Sequence, residues 1–546
     1  MEESYRNGGR YRQLMCEQDL GGAAMNGAES LVHTLSDNGI EVCFANPGTS
    51  EMHFVAALES VPKLKPVLAL FEGVATGAAD GYYRIAGKPA ATLLHLGPGI
   101  GNGFANLHNA RKARSGIINI VGDHATGHAK LETPLKSDTA GLAKICSDKV
   151  VCVEHAGAVS EAALQAIEAA RVGRLGAIST MVLPADTAWG CGIVTQRKVA
   201  PVQEHHVSSE SIDEAVAILM RLGEKACILL GHAGTSEAAQ RAALEVSRLT
   251  GCGVYFEFYN ARLPQGKGRP NFPRIPYAVD AAVNALKPYE ALVLAGALDP
   301  AAFFAYPNKP SYIFDPKKRR HCLAKPHEEV ELALAEVLEQ LRGRAAHMKT
   351  KLPESKAPRV SVKTASTKWG PAVVAATVAR LLPEQAIVID ESISSGRDFA
   401  VQMAHANPHD WLAIMGGAIG FGLPAALGAG VAAPDRQVVV LEGDGSGMYT
   451  LQALWSIARE SLPVVIIIFA NRDYAILRGE CMNVGATAIG SITEELLSLK
   501  APKLDWAKLA QAQGVPSASV QDEASLTVEL KRAFAAKSPY LIEVLV

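Results

Sequence analysis

From residue 26 onward, short continuous apolar runs alternate with longer segments whose apolar positions recur every three to four residues. Apolar runs of about four to eight residues mark strands buried on both faces, and the 3.6-residue period marks amphipathic helices. The pattern predicts strands over 42–45, 67–70, 91–95, 117–121, 226–230, 291–295, 386–390, 438–442, 464–471 and 540–545. It predicts helices over 28–38, 72–86, 161–171, 235–250, 371–382 and 450–460. Repeated β-α-β of this kind gives an α/β chain of doubly wound parallel sheets covered by helices. Residues 188–210 break the pattern with small, polar and Pro residues. Residues 345–370 are rich in Lys, Ser and Pro, lack an apolar period and read as an exposed linker. The expected organisation is an extension over 1–24, blocks over 25–190 and 191–344, the linker over 345–370, and a block over 371–546.

Composition narrows the classes. The 546 residues suit three such blocks. Lys+Arg is 53 and Asp+Glu is 55, a formal charge of −2, so there is no basic surplus for nucleic acid. Nine scattered cysteines without a C-x-x-C pair argue against a disulfide framework or a Cys-rich zinc site and favour the reducing cytoplasm. Residues 1–24 have no apolar core and do not read as a signal peptide. Residues 411–434 carry no charge over a membrane-spanning length. Their six glycines and two prolines point instead to a buried segment where backbone closely approaches a ligand.

The chemistry begins in the third block. A predicted strand is followed at once by Gly443-Asp444-Gly445-Ser446-Gly447, and the next strand ends in Asn471-Arg472-Asp473. Asp444 and Asn471 stand 27 residues apart at neighbouring strand ends, where parallel sheets bind ligands. A carboxylate, an amide oxygen and a backbone carbonyl are hard ligands suited to Mg²⁺ or Ca²⁺, while Gly-rich backbone N–H groups can cradle phosphates. Read without the Asn, the Gly-Asp-Gly turn is equally a helix N-cap.

This spacing resembles the thiamin-diphosphate motif of the 2-oxo-acid decarboxylase and acetolactate synthase superfamily, and the resemblance runs over nearly the whole chain from Met25. It implies three domains: pyrimidine-binding, central and diphosphate-binding. It implies Mg²⁺, with Ca²⁺ as a substitute in vitro, on Asp444, Asn471 and the Asp473 carbonyl. Gly443, Gly445, Ser446, Ser394 and Ser395 would lie near the diphosphate. Ile419 would wedge the cofactor into its bent shape, and the Gly417 carbonyl would face its 4′-amino group. Glu72, at the end of a predicted strand, resembles the family's catalytic Glu, whose carboxyl meets N1′ of the aminopyrimidine so that the amino group can take the thiazolium C2 proton. That geometry crosses subunits in the family, which implies a homodimer or homotetramer acting on a small 2-oxo acid.

Two further loops are expected to complete the pocket, over 44–51 and 94–103. His95 and Thr49 resemble the catalytic His and substrate-binding Ser of the benzoylformate decarboxylase branch. His124 is a second-rank candidate, and Ile476, Leu477 and Glu480 follow the metal Asn on the substrate side. The branch's second His has no counterpart in Ala302-Phe303-Phe304-Ala305-Tyr306-Pro307, and Asp123 stands where acetolactate synthases carry Gln. The resemblance therefore leaves open carboligation of the acetolactate type against simple decarboxylation to an aldehyde. It also leaves open FAD in the central block at Leu230-Gly231-His232-Ala233-Gly234. A nicotinamide or flavin oxidoreductase is disfavoured, because no glycine loop has the dinucleotide register. A non-catalytic paralogue is disfavoured because Glu72, Asp444 and Asn471 are retained together.

Overall fold

The computed structural model describes residues 25–172, 175–200, 205–348, 368–397 and 399–546, in two compact units. The expected extension over 1–24 and most of the expected linker lie outside the described residues. The helix Val330–Met348 runs past the expected boundary at 344.

The first unit contains a six-stranded parallel sheet. Its strands lie in the order Lys65–Leu68, Val42–Ala45, Ala90–Leu94, Ile117–Asp123, Ile178–Pro184 and Lys149–Cys152. Every residue of Val42–Ala45 and Ala90–Leu94 is buried, as continuous apolar runs require. From Val42–Ala45 the chain moves first to one neighbour, Lys65–Leu68, and then to the other, Ala90–Leu94. That reversal opens a crevice beyond the carboxyl ends of the strands. The Gly-rich stretch after His95 is not a loop: it begins the helix Leu96–Ala113. Pro98 is tolerated because first-turn N–H groups have no intrahelical partner. The glycines let this helix lie close to Glu72–Ala86, where Thr76 Oγ1 donates to the Gly103 carbonyl at 3.0 Å.

The second unit contains two sheets. Gly253–Phe256, Ala226–Leu230, Ala291–Ala295 and Arg319–Ala324 form a four-stranded parallel sheet. The other has seven strands in the order Leu263–Gln265, His409–Ala413, Ile387–Glu391, Val438–Gly443, Val464–Ala470, Tyr540–Leu545 and Ser517–Val520. All its pairs are parallel except the first, in which Leu263–Gln265 runs antiparallel to His409–Ala413. Strand order reverses at Ile387–Glu391, whose neighbours are the next two strands of the chain. The charge-free segment 411–434 resolves into the end of His409–Ala413, a turn and the helix Gly422–Ala432, which is apolar and buried along most of its length. No helix among the described residues is long and apolar enough to cross a membrane. Among the described residues seven cysteines are free and Cys191 is disulfide-bonded, a bond the sequence did not suggest.

In the four-stranded sheet, the turn after Ala226–Leu230 is closed by a carboxylate. A Cβ on Gly231 would fall 2.2 Å from Glu257 Oε2, and Glu257 Oε1 accepts from Leu298 N–H at 2.9 Å. Burial pushes the Glu257 carboxyl up to about 7. It therefore holds a proton more tightly in the folded than in the unfolded chain. The contribution to stability is complete below about pH 4.5 and is lost as pH rises through about 7. Relative to Glu257→Gln, the wild type should lose about 2–3 kcal/mol between pH 5 and pH 8, read from denaturation midpoints at each pH. A pH-independent difference would contradict this.

Candidate functional site

In the first unit, the residues singled out by sequence gather at the crevice. Glu72 opens the helix Glu72–Ala86, is 7% exposed, and accepts a hydrogen bond from Asn102 Nδ2 at 3.0 Å through Oε2. A Cβ on Gly99 would come within 3.2 Å of Glu72 Oε1 and within 3.1 Å of the Leu94 backbone, so glycine is what admits the carboxylate there. Asn102 was not singled out; its role depends on the helix that the Gly-rich sequence hid.

His95 is the N-cap residue of Leu96–Ala113. Its Nδ1 meets Glu51 Oε2 at 2.8 Å, and the same oxygen accepts from Gly48 N–H at 2.7 Å. Gly48 lies against the imidazole; a Cβ there would fall 2.1 Å from Nδ1. Glu51 is buried, its Oε1 has no hydrogen-bond partner, and burial raises its carboxyl while His95 opposes the rise. A carboxylate on one ring nitrogen fixes the tautomer and leaves the other nitrogen free for proton transfer. Glu51 was missed because the two residues are 44 positions apart. Thr49 is exposed at the start of the 3₁₀ turn Thr49–Glu51. His124 follows the strand Ile117–Asp123, with Nε2 at 3.1 Å from Thr133 Oγ1.

In the second unit, Asp444 and Asn471 stand at the ends of adjacent strands. Asp444 is 2% exposed; its Oδ2 accepts from Arg472 N–H at 2.7 Å, and its carbonyl accepts from Trp506 Nε1 at 3.2 Å. Burial pushes its carboxyl up to about 6. Asn471 Oδ1 accepts from Asp473 N–H at 3.0 Å. The Asp473 carboxylate is paired with Arg478, so that side chain is occupied and the residue offers its carbonyl. The donor set fits a small hard divalent cation: a buried carboxylate, an amide oxygen and a carbonyl. Ser394 and Ser395 lie in the turn after Ile387–Glu391, while Gly443 ends the adjacent strand Val438–Gly443 and Gly445 and Ser446 follow it. Gly445 has no room for a side chain, since a Cβ would meet the Tyr474 ring at 2.6 Å. Ser446 Oγ donates to Glu442.

Behind the turn that carries Gly417 and Ile419 lies a feature the motifs do not announce. Gly417 and Gly420 have φ of +71° and +93°, conformations that favour glycine. Glu391 accepts from the N–H groups of Gly420 at 2.6 Å, Phe421 at 2.8 Å and Gly422 at 2.5 Å. Its carboxylate thereby satisfies the orphan donors at the start of Gly422–Ala432 and fixes the turn. Glu442 lies beside it; burial, and for Glu442 the neighbouring Glu391 charge, raise both carboxyls. A Cβ on Gly417 would come within 3.1 Å of the Phe303 ring, in the segment where no second His was found. Ile476 and Glu480 line a cavity of this unit, while Leu477 is exposed on the same helix, Ala475–Asn483. The Leu230–Gly234 turn does not fit the phosphates of FAD, because the Glu257 carboxylate and the Ala295 carbonyl fill the space beside its glycines.

Replacing Glu391 by Ala should cost about 3 kcal/mol or more in urea unfolding, because three N–H groups lose a charged acceptor. Glu391→Gln keeps an acceptor oxygen and should cost less. A loss below about 1 kcal/mol for the Ala variant would contradict the role assigned to Glu391.

Comparison with known proteins agrees with this geometry. Residues 25–144 match the thiamine pyrophosphate enzyme N-terminal TPP binding domain, and residues 395–544 match the C-terminal TPP binding domain. The chain is 44% identical to the putative acetolactate synthase large subunit IlvX of Mycobacterium tuberculosis, over 96% of this chain and 99% of that protein. It is 28% identical to benzoylformate decarboxylase of Pseudomonas aeruginosa, over 93% and 97% of the two chains. The thiamine diphosphate-dependent 4-hydroxybenzoylformate decarboxylase of Rhodococcus jostii RHA1 superposes with a TM-score of 0.81 at 26% identity, covering 96% of this chain and 99% of that one. Two matched TPP binding domains and a relative 44% identical from end to end lead to one conclusion: the chain belongs to the thiamine pyrophosphate enzyme family.

Proposed function

We propose that this protein is a thiamin-diphosphate- and Mg²⁺-dependent enzyme that cleaves or forms the C–C bond next to the carbonyl of a 2-oxo acid. The observation that carries the reading is the pair of half-sites: Glu72 held by Asn102 at one strand-order reversal, and Asp444 with Asn471 at another. Asp444, Asn471 and the Asp473 carbonyl would hold Mg²⁺; Ser394, Ser395, Gly443, Gly445 and Ser446 would meet the diphosphate; Ile419 and Gly417 would seat the rings. When bound, thiamin diphosphate supplies a carbon nucleophile and an electron sink for the loss of CO₂. Glu72 holds a proton at the aminopyrimidine ring, and the buried walls exclude water. Because Glu72 and Asp444 act on opposite ends of one cofactor, the reading calls for at least a homodimer. The exposed Met482, Ile492 and Leu496 support a covered face.

The fate of the carbon left after CO₂ departs separates two readings. Joining it to a second carbonyl gives an acetolactate-type carboligation, in line with the IlvX likeness. Protonating it releases an aldehyde, and the His95–Glu51 contact favours this second reading because it supplies an oriented proton carrier.

Calorimetry should find thiamin diphosphate binding that depends on Mg²⁺ and is lost in Asp444→Ala. Glu72→Gln should bind the cofactor and release CO₂ from 2-oxo acids at least about a hundredfold more slowly than wild type. His95→Ala should shift products from aldehyde toward hydroxy ketone. No cofactor binding by folded wild-type protein would overturn the proposal.

A further inference from the structure

The first unit carries an apolar face away from its strand ends. Trp189 ends the short helix Ala185–Trp189, and the chain then continues extended through Gly190 into the strand Cys191–Gly192. Trp189 is 50% and Ile193 48% exposed; Cys191 is exposed, and Gly192 is buried. Alternate residues of an extended chain point to the same side, so Trp189, Cys191 and Ile193 share one outward face. The His53 ring lies 5.6 Å from the Trp189 ring between centroids, and its neighbour Met52 is 44% exposed. Large apolar side chains gathered in the open mark a surface with an occupant.

Cys191 points to that occupant, because it is disulfide-bonded. The seven other described cysteines are free, and the sequence holds nine in all, which leaves Cys16. Chain entry agrees. The strand Met25–Asn26 pairs antiparallel with Cys191–Gly192 and sets Asn26 opposite Cys191, so residues 1–24 join the unit beside this face. Cys16 is nine positions before Met25, a span that reaches about 30 Å at most. Bridged cysteines need Cα atoms within about 7 Å of each other, so the span must turn back on itself. Gly21-Gly22 within it is a turn signal. Tyr11, Leu14 and Met15 lead up to Cys16 and supply apolar side chains for Trp189, Ile193 and Met52.

We propose that residues 11–16 dock on this face and that a Cys16–Cys191 disulfide fastens them there. The strap is redox-controlled. The two thiol sulfurs join, and their two protons and two electrons pass to glutathione disulfide, which leaves as two glutathione thiols. Exposure of Cys191 lets oxidant and reductant reach the bond, so the strap closes and opens reversibly. The face it covers adjoins the helix Met52–Ala57, which continues directly from the Thr49–Glu51 turn.

The test equilibrates the full-length protein with glutathione and glutathione disulfide, then alkylates and digests it without reduction. Mass spectrometry should find one peptide pair, joined through Cys16 and Cys191. Trypsin should cut after Arg10 and Arg12 about tenfold or more slowly in oxidised than in reduced protein. Cys191→Ser should be cut at the reduced rate under both conditions. Trp189→Ser keeps both thiols and removes part of the docking face. Its half-oxidation point should therefore move about tenfold toward glutathione disulfide, because the two thiols lose effective concentration. A Cys16 thiol that stays free in glutathione disulfide, Cys191 joined to a second chain on a non-reducing gel, cleavage indifferent to redox state, or an unchanged half-oxidation point in Trp189→Ser would overturn the proposal.

Discussion

A parallel sheet covered on both faces has no polar surface except at its strand ends. In this protein the strands are apolar along their lengths, so every chemically useful side chain is pushed into the turns that follow them. Where strand order reverses, two such turns diverge and leave a crevice. The first unit reverses at Val42–Ala45 and sets Glu51 and His95 beside that reversal. The second reverses at Ile387–Glu391 and sets Ser394, Ser395 and Asp444 there. Topology chooses the place, and the turn residues choose the chemistry.

The same constraint explains the buried acids. Glu51, Glu72, Glu391, Glu442 and Asp444 are all nearly inaccessible to solvent. Each is tolerated because backbone or side-chain donors converge on it: Gly48 on Glu51, Asn102 on Glu72, three successive N–H groups on Glu391, Ser446 on Glu442, Arg472 N–H on Asp444.

What was legible in the sequence was local. Apolar runs marked most strands to within a few residues, and 226–230, 291–295 and 540–545 coincide with the observed strands. Asp444 and Asn471 could be paired because one helical crossover separates adjacent parallel strands by a narrow range of lengths. Contacts between distant segments left no such trace. Glu51 meets His95 across 44 positions, and Phe303 reaches Gly417 across more than a hundred. The strand Leu263–Gln265 joins the seven-stranded sheet although it lies between elements of the four-stranded one. The helix after His95 was hidden because Gly and Pro signal a turn until the facing helix, which requires close approach, is known.

The claim on which the rest depends is that Glu72 activates a thiamin diphosphate held by Asp444 and Asn471. Hydrogen–deuterium exchange at C2 of the bound cofactor, followed by NMR, tests it without knowing the substrate. Exchange should be fast in wild type and slower by about a hundredfold or more in Glu72→Gln with the cofactor still bound. Equal exchange rates in the two proteins would contradict it.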